Sequence, residues 1–140
     1  MRIRHSAAVT VLSVVLLIPN AALACDHQLL AEFTNRCDAA IDASDHIAER
    51  LWCQQAAEQD GVCAADAPSK AEWAASRWHE GYMLILAGLA NADTGRHDLG
   101  RQQRKHARRI LDEIVHDPTA PDRWKKAARK SLADEKRYGY

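Results

Sequence analysis

The four cysteines of this 140-residue chain, Cys25, Cys37, Cys53 and Cys63, all fall in its first half, directly behind a leader-like start. Arg2, Arg4 and His5 precede an apolar run from Ala7 to Ile18, interrupted only by Thr10 and Ser13, and Pro19 ends it. Ala22, Leu23 and Ala24 then form the small-x-small pattern of a signal peptidase site, so residues 1–24 read as a signal peptide cleaved before Cys25. The run is too short to span a bilayer. The expected product, residues 25–140, is a single helical domain exported to the periplasm or secreted. An even cysteine count in an oxidising compartment implies two disulfides. Lipid anchoring through Cys25 is the lesser reading, because Ala22 stands where lipoprotein signals usually carry Leu and a lipidated Cys25 would strand one thiol.

From Asp26 to Asp60 there is neither Pro nor Gly, and Leu30, Phe33, Cys37, Ala40, Ser44, Ile47 and Leu51 recur at spacings of three and four. That periodicity predicts one long helix closed at Gly61, with a break near Asn35 as the alternative. On a continuous helix Cys37 and Cys53 would stand ~24 Å apart, far beyond bridging distance. The preferred pairing is therefore local, Cys25 with Cys37 and Cys53 with Cys63. The alternative nests Cys37–Cys53 inside Cys25–Cys63 and needs the segment folded into a hairpin.

Ser69 followed by Glu72 is a capping box, opening a helix to about Asn91 with Trp73, Trp78, Tyr82, Ile85 and Leu89 inward. Gly81 and Gly88, seven apart, suggest close approach of another backbone. After a turn at Asp93 to Gly95, a helix from about Asp98 to His116 turns Leu99, Gln103, Ala107, Ile110 and Ile114 inward. Pro118 and Pro121 separate it from a last helix, Asp122 to about Lys136. No segment alternates with period two. The expected fold is all-α, a small disulfide-stabilised bundle of about four helices.

Nineteen basic and nineteen acidic residues give a formal charge of zero. That sum hides a division: residues 25–68 carry nine acids and two bases, residues 69–140 ten acids and fifteen bases. Asp38, Asp42, Asp45 and Glu49 form an acidic stripe beside Trp52, a candidate interface anchor. Arg101, Arg104, Lys105, Arg108 and Arg109 form the densest basic run, without interleaved aromatics, and Arg108–Asp112 and Arg109–Glu113 are spaced to pair along the helix. An exported chain of this kind has no nucleic-acid partner; an acidic or basic protein, anionic lipid or an envelope polymer fits the charge.

Arg96-His97-Asp98-Leu99-Gly100 resembles the Arg-His-Asp-Phe-Gly helix of prokaryotic secreted phospholipase A2. The resemblance implies His97 as general base and Asp98 as calcium ligand. It covers about five residues. The cysteine that precedes that family's motif is replaced here by Thr94 and Gly95, and Ser76 lies near the position of its upstream calcium-binding Asp. No serine elbow, phosphate loop, paired zinc cysteines or dinucleotide turn occurs. His46 among Asp38, Asp42 and Glu49 reads as a solvated face, and neither metal nor cofactor is expected. The leading expectation is an exported helical binding protein, of the kind that inhibits or neutralises a secreted or envelope protein, with Asp38, Asp42, Asp45 and Glu49 facing a basic partner and Trp52 as a candidate anchor; Arg104, Lys105 and Arg108 belong to the envelope-surface rival. A calcium-dependent lipid hydrolase centred on His97 and Asp98 and an envelope-associated module binding anionic lipid or polymer are its rivals.

Overall fold

A computed structural model describes residues 24–138, so nearly all of the expected signal peptide lies outside the described residues. Five α-helices follow one another, α1 (His27–Asp42), α2 (His46–Ala65), α3 (Lys70–Asp93), α4 (His97–His116) and α5 (Asp122–Tyr138), with no strand among the described residues. The expected all-α architecture is present with one helix more than expected. None of these helices is long and apolar enough to cross a membrane.

The additional helix arises because the long first segment is a hairpin, broken neither at Asn35 nor at Gly61 but at Ala43–Asp45. Asp45 caps α2 by accepting from the Ala48 amide at 3.0 Å. Ser44 adopts the left-handed conformation with φ 53°, and its N–H and that of Asp45 return to the Ile41 and Ala40 carbonyls. The break thus contains no Gly or Pro, and a capping Asp was its only local mark. Beyond it the periodicity changes phase: Cys37 and Ala40 are buried, whereas Ile47 and Leu51 are 65% and 52% exposed.

The hairpin reverses the expected pairing of cysteines. Cys37 bridges to Cys53 with a Cα separation of 4.9 Å, and Cys25 to Cys63 with 4.4 Å. The local pairs do not form, because antiparallel α1 and α2 bring each early cysteine level with a late one. Both bridges are rungs of one ladder, and each removes ~3 to 4 kcal/mol of unfolded-chain entropy on the chain-closure model. Phe33 stacks on Trp52, ring centroids 6.0 Å apart, and the Arg36 guanidinium lies 4.4 Å over the same indole. Gly61 closes nothing. It sits within α2, where a Cβ would stand 3.2 Å from the Glu80 carboxylate, so its lack of a side chain makes room for that group.

α3 is the central helix, packed by α2, α4 and α5. Its start is capped as expected, Ser69 Oγ accepting from the Glu72 amide at 3.2 Å. The close backbone approach expected at Gly81 and Gly88 is made by α4. A Cβ on Gly88 would meet the Gly100 carbonyl at 2.9 Å and Arg104 Cγ at 2.7 Å, and one on Gly100 would collide with the Gly88 carbonyl. Between these helices Asn91 Nδ2 donates to Gln103 Oε1 at 2.7 Å, and Gln103 Nε2 donates to Gln54 Oε1 at 3.2 Å, joining α2, α3 and α4. The core is made of small residues, Ala56, Ala57, Ala74, Ala87 and Ala107, around Met83, Ile110, Leu111 and Ile114. Small side chains at these positions let the helices approach closely. Leu99, expected inward, is exposed on the first turn of α4. At the α4–α5 connection Asp117 Oδ1 accepts from the Thr119 amide at 2.7 Å and the Ala120 amide at 3.2 Å, while Oδ2 pairs with Lys70 at 2.7 Å. These bonds hold its pKa far below the usual carboxylate range, Lys70 first among them.

Candidate functional site

The expected acidic stripe is divided by the hairpin turn. Asp38 and Asp42 lie exposed on α1, Asp45 is occupied as the cap of α2, and Glu49 is buried and bonded to His46 Nδ1 at 3.0 Å. That hydrogen bond is the main reason the His46 pKa is raised. Trp52 is half-buried under Arg36. On α4, Lys105 and Arg108 face solvent, but Arg104 is only 6% exposed, its stem lying over Gly88 and its guanidinium turned to Glu135 on α5. The spacings of four along α4 do not pair: Glu113 binds Arg77 at 2.5 Å and Arg108 reaches Glu135. His97 and Asp98 are both exposed at the start of α4, and Asp98 pairs with Arg101 one turn on.

Two polar clusters were not legible in the sequence. Asp60 on α2, 1% exposed, meets His79 Nδ1 on α3 at 2.5 Å. Burial raises the Asp60 pKa against the opposing pull of His79. Next to His79 on α3, buried Glu80 accepts from Arg77 at 2.6 Å, and burial raises its pKa too, partly countered by that guanidinium. Both clusters tie neighbouring helices together. His106 is shifted the other way, lowered by desolvation and by the cations of Arg109 and Arg77. Asp60 and His79 sit on different helices, 19 positions apart, and the Arg77 to Glu113 contact spans 36, so neither pairing shows as a local spacing.

A cleft of about 670 Å³ lies between α3 and α5. Trp78, Tyr82, Ile85, Leu86 and Leu89 form its α3 wall, and Ala127, Lys130, Ser131, Asp134 and Glu135 its α5 wall. The aromatic end is held by one hydrogen bond and two ring contacts. Trp78 Nε1 donates to Ser131 Oγ at 3.1 Å, and its indole contacts Tyr82 and Trp124 with centroids 5.7 and 5.5 Å away. Tyr82, expected inward, is 39% exposed at the rim. Glu135, 4% exposed, is the unusual wall residue: Arg104 and Arg108 approach its oxygens at 3.8 Å, outside hydrogen-bond range, and Oε2 has no hydrogen-bond partner. A buried carboxylate oxygen without a donor is costly. The sequence had marked Ile85 and Leu89 as core and had assigned Glu135 no role, because periodicity along one helix does not show what another helix covers. A trough with an apolar α3 wall and a polar α5 wall is suited to receiving apolar side chains. Comparison with protein-family models, curated proteins and solved structures returns no match.

Proposed function

We propose that this is an exported helical binding protein that receives an apolar segment of a protein partner in the α3–α5 cleft. The observation that carries the reading is that cleft, where Trp78, Tyr82, Leu86 and Leu89 meet Glu135, whose Oε2 lacks a hydrogen bond. Aromatic and aliphatic anchors in a preformed trough are the usual centres of binding energy. The disulfides and the leader pattern support export. The acidic stripe takes a smaller part than its charge suggested, since only Asp38 and Asp42 of its four carboxylates are both exposed and unengaged. The hydrolase reading gains no supporting contact at His97, and the basic-surface reading rests on Lys105 and Arg108 without Arg104.

The test is crosslinking capture from an envelope extract, followed by affinity measurement on the recovered partner. Leu86→Asp and Leu89→Asp are expected to weaken binding about 30-fold or more. The double reversal Asp38→Lys/Asp42→Lys is expected to leave it within a few-fold. Binding abolished by the reversal but indifferent to the cleft variants would move the interface to the hairpin. Loss of anionic-vesicle binding on neutralising Lys105 and Arg108, with no protein captured, would favour the envelope-surface reading instead.

A further inference from the structure

We propose that the processed amino terminus, Cys25-Asp26-His27, is a binding site for one square-planar Cu(II) or Ni(II) ion. The proposal rests on cleavage between Ala24 and Cys25, part of the export reading above. That cleavage gives Cys25 a free α-amine and makes His27 the third residue of the mature chain. An amine, two successive amide nitrogens and an imidazole then lie in sequence on one short stretch of backbone. Bound together they close two five-membered chelate rings and one six-membered ring around a metal. Nitrogen donors in a square plane are the set that selects Cu(II) and Ni(II), whereas Zn(II) prefers a tetrahedron.

The structure supplies the donors in usable form. His27 is exposed, and its imidazole folds back over residue 25, with ring nitrogens 3.5 and 3.6 Å from Cys25 Sγ. The hydrogen bonds of the first turn of α1 begin at the Leu29 amide, bonded to Asp26 Oδ1, and the Leu30 amide, bonded to Asp26 O. The Asp26 and His27 amide nitrogens precede them and are not taken by the helix ladder. The Cys25–Cys63 bridge pins the terminus to α2, and the Cys25 nitrogen lies 3.4 Å from Asp66 Oδ2, so a free ammonium there has a carboxylate counter-ion.

The sulfurs belong to a different chemistry. Cys25, His27 and Cys63 place ligand atoms within 4.8 Å of one another, but both cysteines are in the disulfide and offer no thiolate. Nitrogen coordination leaves that bridge intact. With His27 neutral, binding of the aquo ion releases three protons, one from the ammonium and one from each amide. Two amide anions then balance the charge of the divalent ion, and no redox change is needed.

Coordination requires the Asp26 and His27 nitrogens to turn toward a common point, which needs an Asp26 ψ near zero. In the structure it is 97°, with the side chain capping α1. Metal binding and the α1 cap therefore compete, and loading the site frays the first turn of α1.

The test begins with the exported full-length product, oxidised, with its intact mass measured before titration with Cu(II) alone. One Cu(II) per chain is expected, with a visible d–d band and a four-nitrogen paramagnetic resonance signal. Both are lost in His27→Ala and in a chain extended by one Ala before Cys25, which blocks the amine and alters no side chain. Ni(II) is expected to occupy the same site with a diamagnetic spectrum, and excess Zn(II) to leave the copper band unchanged. A four-nitrogen signal that survives His27→Ala or the added Ala overturns the proposal. So does its absence from a chain whose mass shows that it starts at Cys25, a result that leaves the export reading intact. A mass showing another start overturns the site and the cleavage assignment together.

Discussion

The α1–α2 hairpin and the α3–α4 pair are both antiparallel helix pairs, held together by opposite means. The hairpin is clamped covalently by Cys25–Cys63 and Cys37–Cys53, carries an acidic surplus, and leaves Ile41, Ile47 and Leu51 exposed around its turn. The α3–α4 pair has no covalent tie; Gly88 and Gly100 let the backbones touch, and Asn91 and Gln103 join them inside. Where apolar burial is thin, disulfides replace it, a division expected when a small domain has a modest core. The charges follow the same boundary. Every Lys or Arg ion pair among the described residues stays within 25–68 or within 69–140, and only His46–Asp93 and His79–Asp60 cross between them. The zero net charge is therefore not an internal neutralisation; each half shows its own sign outward.

This contrast can be broken from either side. Replacing Cys37 and Cys53 together by Ala is expected to cost about 3 kcal/mol in denaturant unfolding. Hydrogen exchange should rise first in α1, while α3 and α4 keep their protection. An equal rise across all helices would contradict the division of labour. Gly100→Ala attacks the other pair and is expected to cost about 2 kcal/mol, because its Cβ meets backbone that no rotamer change can clear. The same measurement on that variant should show α3 and α4 opening and the hairpin spared.

Ser44→Gly is expected to stabilise the hairpin by about 1 kcal/mol, since glycine meets no penalty at the left-handed φ of 53°. The smallest effect concerns Asp60. Its folded pKa is raised by burial, so its contribution is most favourable below its unfolded pKa and is lost as pH rises through the folded value. The stability of the native chain relative to Asp60→Asn should therefore fall from pH 4 to pH 7 in urea titrations. A relative stability that rises over that range would mean that the His79 ion pair outweighs desolvation.

The helices of residues 69–140 were legible in the sequence because their boundaries carry the chemistry that sets them: Ser69 with Glu72, Gly95, and Pro118 with Pro121. The hairpin turn was not, because an uninterrupted three-and-four pattern runs through Ser44 and only tertiary closure makes a left-handed serine acceptable. The disulfide pairing followed that error, since the distance argument was sound for a helix that does not exist. The cleft was illegible for another reason. Periodicity assigns Tyr82 and Leu89 to an inner face but cannot show that α5 covers only part of it.

The nested ladder carries the hairpin and the pinned amino terminus together and agrees with the proposed export, and one digest of the non-reduced, exported protein tests it. Trypsin cuts after Arg36, Arg50 and Lys70, which puts Cys25, Cys37 and the Cys53/Cys63 pair on three peptides. The expected result is all three joined, with a further cut after Glu58 separating Cys25–Cys63 from Cys37–Cys53 and the first peptide starting at an unmodified Cys25. The first two peptides joined to each other, with an internal bridge in the third, would restore the local pairing and contradict the hairpin.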